Sequence, residues 1–237
     1  MQNYTQQIIW CAIGAAAIIC IRKTRVSVTA MLRSAAALLF ALMAAQIAMV
    51  AISGASLLRN ALPFHLCSFT ALLTIPMLAR RDDTLFQFCF CLGMPGAVTA
   101  LIFPVVGYSP WPIPARMMFI AIHSIIFFAP ALMFAAGHRP RKTAALPVLL
   151  IGNILMFCAV IANAMLDTNY MFLAVAPNGT PLELMARGGK AMYFVWLEIT
   201  AIAVTQVLAL AFSPRKAKLM ATDVSDEPTA GTLIKAR

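Results

Sequence analysis

Residues 145–166 read ALPVLLIGNILMFCAVIANAML, without a single charge, and the flanks of this stretch decide the fold. Arg139, Arg141 and Lys142 precede it and Asp167 closes it. A helix of about 20 apolar residues crosses the hydrocarbon core of a bilayer, and flanking cations mark the side on which a connection stays. One stretch therefore carries both a length and a direction. Working outward from it, six more apolar stretches of similar size occupy 4–21, 34–53, 61–79, 84–107, 115–136 and 191–212.

The cations alternate between the connections. Arg22, Lys23, Arg25, Arg33, Arg80, Arg81, Arg139, Arg141, Lys142, Arg215, Lys216, Lys218, Lys235 and Arg237 fall on one side of a seven-span chain. Only Arg59, Arg116, Arg187 and Lys190 fall on the other. The positive-inside rule makes the richer side cytoplasmic, with the N-terminus outside and the C-terminus inside. A mean hydropathy of +0.87, with 62% hydrophobic and 11% charged residues, excludes an ordinary soluble domain. Only helices and closed barrels satisfy the backbone in lipid, and these stretches are too long and too uniformly apolar for barrel strands. The expected fold is an all-α, polytopic membrane bundle of seven transmembrane helices over 1–212. A polar, disordered cytoplasmic tail is expected over 213–237.

The net charge of +10 is spread over loops without a basic or aromatic stripe, which points to topology and anionic headgroups and away from nucleic acid. The first stretch has its cations after it and no small-residue cleavage site, the pattern of an N-out anchor rather than a secretory signal. Cys11, Cys20, Cys67, Cys89, Cys91 and Cys158 all lie within expected spans and show no zinc-type spacing, so packing is their first reading. Gly93-Met94-Pro95-Gly96 interrupts the fourth span, where a proline predicts a kink. No nucleotide, metal or haem motif is present, and no cofactor is expected. The expected location is the plasma (inner) membrane, with multiple passes.

Depth organises the polar residues. At about 1.5 Å per residue, His65 lies roughly 6 Å below the outer end of its span, Cys67 9 Å, Gln46 and Glu198 10 Å and His123 12 Å. Asn163 and Asp167 close the sixth span, four apart and so on one helix face. The inner half receives chiefly Asn153, Gln87 and Gln206. An ionisable group in a span costs several kcal/mol unless paired or hydrated, so one solvated pocket in the outer half is the economical arrangement. In such a pocket His123 or His65 can serve as general base, Glu198 can orient a histidine or carry the proton, and Cys67 is a candidate nucleophile. On an ideal helix His65 and Cys67 stand about 200° apart, so both reach one pocket only in a central span or after an irregular turn at Pro63.

Leu62-Pro63-Phe64-His65-Leu66-Cys67, His123-Ser124 and Asp167-Thr168-Asn169-Tyr170-Met171-Phe172-Leu173 resemble the YwaF-type family of bacterial multispan membrane proteins, in order and spacing over nearly the whole chain. The aromatic-rich last span with Glu198 fits as well. That family is related to a eukaryotic transmembrane ether-phospholipid acyltransferase. The resemblance implies that Cys67 holds an acyl group as a thioester, that His123 is the base, and that membrane lipid is the partner. His65 and Glu198 complete the catalytic set so read, and Gln46, Asn163, Asp167, Asn169 and Tyr170 are the candidate substrate contacts. Two other readings stay open beside a lipid acyl or headgroup transferase: a proton-linked transporter or ligand binder, and a non-catalytic membrane scaffold.

Overall fold

The computed structural model describes residues 27–106 and 109–214, with Ile8, Ala12, Ala15, Ala16 and Ile19 of the first stretch, which are helical and exposed. The remainder of the expected first span and the expected disordered tail from 215 onward lie outside the described residues. The described chain is all-helical. Its elements are α1 (Val28–Ile52), α2 (Leu57–Asn60), α3 (Leu66–Arg80), α4 (Asp83–Phe88), a π-helical turn (Cys89–Gly93), α5 (Met94–Ile102), α6 (Pro112–Ala135), α7 (Ala145–Leu166), a 3-10 turn (Tyr170–Phe172), α8 (Pro181–Ala186) and α9 (Lys190–Phe212). Five helices among the described residues are long and apolar enough to cross a membrane: α1, the run Asp83–Ile102, α6, α7 and α9. Each overlaps an expected span, α7 to the residue.

The third expected span differs. It is helical only over Leu66–Arg80, 15 residues or about 22 Å, less than the ~30 Å core. The cause is local. Pro63 biases Leu62 away from the helical region, and His65 stays extended at the N-cap with φ −76° and ψ 143°. Residues 61–65 thus form an irregular approach, and the ideal-helix objection to His65 and Cys67 meeting does not apply.

The expected kink at Pro95 is taken up just before it. The Met94 N–H reaches back to the Cys89 carbonyl, one residue farther than in an α-helix, and Pro95 has no N–H to offer. This π-turn packs against α3, α6, α7 and α9 and is the hub of the bundle. Thr70 and Thr74 of α3 are fully buried against it, and the Thr74 hydroxyl lies 3.6 Å from Cys89 Sγ. Cys89 and Cys91 are both fully buried, as packing residues are.

Burial separates inside from outside. The apolar windows of α6 and of Asp83–Ile102 are 56% and 44% buried, against 11% for α1 and α9. Phe40, Leu146, Phe157 and Met165 stand exposed on the outer helices, an apolar surface suited to lipid. Hydrogen bonds tie the two ends of the bundle. At one, Gln87 donates to the Arg139 carbonyl at 3.3 Å and accepts the Arg141 N–H at 2.8 Å, while His138 Nδ1 meets Asp83 Oδ1 at 2.5 Å. At the other, the Tyr170 hydroxyl donates to the Leu58 carbonyl at 3.1 Å and the Tyr193 hydroxyl to the Phe172 carbonyl at 3.2 Å.

Candidate functional site

The site is built at the second of these ends, where the segment after α7 folds back over the start of α3. Asp167 ends α7 in the left-handed region, φ 51° and ψ 58°, a conformation that aspartate tolerates better than most residues. Its side chain is exposed. Asn163, one turn earlier, accepts the Tyr170 N–H at 2.6 Å and the Thr168 hydroxyl at 3.0 Å, and donates to the Tyr170 carbonyl at 3.0 Å. Asn169 accepts the N–H groups of Ala174 and Val175 at 3.0 and 3.1 Å and donates to the Val175 carbonyl at 2.8 Å. Between these braces Met171 and Phe172 both take positive φ, 53° and 58°. Bulky residues are rarely found there, and each costs on the order of 1 kcal/mol or more. The braces hold the strained segment as a clasp.

His65 receives the clasp. The Met171 N–H donates to His65 Nδ1 at 3.2 Å, and the imidazole stands edge-on to Tyr170 and tilted against Phe172, with ring centroids 5.2 and 5.4 Å away. Nδ1 can accept only if it carries no proton, so this imidazole is neutral with its hydrogen on Nε2. His123, buried in the middle of α6, has the opposite assignment. A carbonyl can only accept, so the 2.7 Å contact between His123 Nδ1 and the Phe119 oxygen places a proton on Nδ1 and leaves Nε2 as the free lone pair. Its ring packs on Phe119 with centroids 4.0 Å apart. The helix that His65 caps, α3, packs along α6, which carries His123.

Cys67 lies in the first turn of α3, just past the N-cap, and no side chain caps that turn. The Cys67 side chain packs against the cluster of Leu39, Ala71, Ala97, Ile122 and Ile126, in which Ile122 is the chain neighbour of His123. It is a free thiol and is hydrogen-bonded to neither histidine in this structure. The Ser124 hydroxyl, next in chain to His123, is buried without a partner among the described residues.

The remaining candidates go elsewhere. Glu198 accepts a hydrogen bond from Asn153 Nδ2 at 2.8 Å, across the seam of α7 and α9 and not toward either histidine. Gln46 is exposed on α1. No group of three or more His, Cys, Asp or Glu able to hold a metal ion occurs among the described residues. A cavity of about 290 Å³ lined by Leu173, Val175, Glu183, Lys190 and Tyr193 opens beside the clasp, and neither histidine lines it. Sequence reasoning missed Tyr193, whose hydroxyl pins the Phe172 carbonyl. Its only signal was an aromatic in the first turn of a span, which reads equally well as an interfacial anchor.

Apolar helices with lipid-suited outer faces, and a small polar cluster under a folded-back connection, define a multispan membrane protein. The profile of the TMEM164 family matches residues 3–209, and the chain belongs to that family. No curated protein and no solved structure matches it.

Proposed function

We propose that this protein is a phospholipid acyltransferase with its site in the outer half of the bilayer, Cys67 carrying the acyl group and His123 acting as base. The proposal extends the YwaF-type resemblance to chemistry. The observation that carries it is the Phe119 carbonyl at Nδ1 of buried His123, which leaves Nε2 as the basic nitrogen, on a helix packed against α3 and the Cys67 side chain. The Cys67 thiol attacks the ester carbonyl of a donor phospholipid. A carbon–sulfur bond forms, the acyl carbon–oxygen bond breaks, and the thiol proton passes through His123 Nε2 to the departing lysolipid alkoxide. An acceptor lysolipid hydroxyl then attacks the thioester, and its proton returns through His123 to the sulfur. Hydrogen bonds of this kind tighten in the substrate complex.

We place the protein in the plasma membrane with seven spans, N-terminus outside and C-terminus cytoplasmic. The cation count supports this orientation, and the clasp end is then external. A second reading, a proton-linked transporter or ligand binder, is favoured by one observation: a half-buried carboxylate, Glu198, bonded to the neutral amide of Asn153 across the α7–α9 seam.

Thioester trapping separates the two. Membranes from cells fed an alkyne fatty acid should carry hydroxylamine-sensitive label on the wild type and none on Cys67→Ser, with His123→Ala abolishing or trapping the label. Glu198→Gln should leave it in place. Label indifferent to Cys67 would end the acyl-enzyme mechanism, and loss of pH-dependent ligand uptake in Glu198→Gln alone would favour the second reading.

A further inference from the structure

We infer that His65 is the oxyanion donor of this site, presenting Nε2–H to the acyl carbonyl oxygen, and that the Met171 backbone amide holds it in that tautomer. The inference rests on the acyl-transfer reading and assigns a role which that reading leaves open. Acyl transfer needs two opposite things close together. One is a lone pair that takes the nucleophile's proton; the other is a hydrogen-bond donor aimed at the oxygen where negative charge develops. A neutral imidazole supplies either, according to which nitrogen holds its single proton. Here the backbone decides. The Phe119 carbonyl claims the proton of His123 at Nδ1, so its Nε2 is basic. The Met171 N–H claims the lone pair of His65 at Nδ1, so its Nε2 is a donor. The pair is therefore not two interchangeable bases but one base and one donor.

The clasp explains itself on this basis. Met171 and Phe172 are held left-handed at φ 53° and 58°, by Asn163 on one side and Tyr193 on the other. Strain of this kind persists only where surrounding contacts over-determine it, and it clusters at functional sites. Its product here is one amide hydrogen pointed at one imidazole nitrogen. The titratable side chain in ring contact with His65 is Tyr170 of the clasp, and Cys67 follows the histidine by two residues on α3. A second proton on the ring, at Nδ1, would break the bond to Met171.

The test compares His65→Gln, whose amide places an N–H near the Nε2 position, with His65→Phe, which keeps a ring without a donor. Transfer of an alkyne acyl chain from phosphatidylcholine vesicles to an added lysophospholipid is measured on the full-length protein in membranes. His65→Phe should lower kcat on the order of 100-fold, the loss typical of one oxyanion donor, with KM little changed. His65→Gln should recover at least a tenth of the wild-type rate with the wild-type pH profile. The tautomers are read independently by ¹⁵N spectra of the wild type in lipid, where only three histidines need assignment. Unprotonated Nδ1 on His65 and unprotonated Nε2 on His123 are expected. His65→Gln as inactive as His65→Phe beside an active, correctly inserted wild type overturns the donor role and leaves acyl transfer standing. A proton on His65 Nδ1 overturns it in the same way. A wild type that transfers no acyl chain removes the reading and the role together.

Discussion

Asn163 uses both ends of one amide to hold the backbone of another segment, and the clasp depends on it more than on any charged residue. Its oxygen serves the Tyr170 N–H and the Thr168 hydroxyl, and its nitrogen serves the Tyr170 carbonyl. Replacing it with alanine strands the Tyr170 N–H, a cost of about 1–3 kcal/mol for a buried group left unsatisfied, and leaves the Tyr170 carbonyl with the Leu173 N–H alone. Asn163→Ala should therefore lower the thermal midpoint in detergent and speed hydrogen exchange at the Met171 amide. Unchanged exchange at that amide would show that the clasp does not hang on Asn163. Part of this was legible in the sequence. Asn163 and Asp167 share a face by their spacing of four, and both close a span. What spacing could not reveal is that Asn163 is saturated by its own chain while Asp167 spends its conformation, not its carboxylate, on ending the helix. A side chain's depth follows from counting residues to a helix end, but its partner follows from a loop whose path no periodicity encodes.

At the scale of elements the π-turn is the decisive piece. Pro95 and two glycines predict a break in the fourth span, yet they do not say which way the chain relaxes. The structure inserts one residue at Cys89–Gly93 and brings Gly93 so close to α3 that an added Cβ would lie 2.3 Å from Thr70 Cγ2. Thr70 is fully buried and its hydroxyl is tied to the Leu66 carbonyl at 2.7 Å, so it cannot swing clear. Gly93→Ala should destabilise the bundle by about 1–3 kcal/mol, the usual range for overpacking. Combining it with Thr70→Ser, which deletes the offending methyl, should recover a measurable part of that loss in a double-mutant cycle. Additive effects would mean that the two residues do not meet. The same element shows why the third span was read too long. Leu62 to His65 are apolar enough to extend a hydropathy window, and only the backbone restriction at Pro63 and the extended N-cap at His65 end the helix at Leu66.

For the whole molecule, the presence of the long apolar helices was readable and direction around the bundle was not. Every span is apolar on all sides, so its sequence carries little signal of which face meets which neighbour. Depth alone grouped Glu198 with the histidines, whereas the packing of α9 on α7 hands it to Asn153. The two ends are better determined, because side-chain bonds fix which connections lie together. Gln87 and Asp83 join the 138–141 connection, and Tyr170 and His65 join residues 58–65 to the clasp. Orientation can be tested on that frame. Thr143 lies exposed in the first set and Asn178 in the second. In intact cells an impermeant maleimide should label Asn178→Cys over the wild-type background. It should reach Thr143→Cys only after the membrane is opened, if the proposed orientation, with Arg139, Arg141 and Lys142 on the inner side, is right. Replacing those three cations with glutamine removes the local signal but leaves the cations of the other inner connections, so the pattern should survive, since orientation is set by the bias summed over the short loops. Labelling of Thr143→Cys in intact cells, with Asn178→Cys protected, would invert the molecule and put the histidine pair in the cytoplasmic leaflet, where a lipid substrate would have to be drawn from the other side.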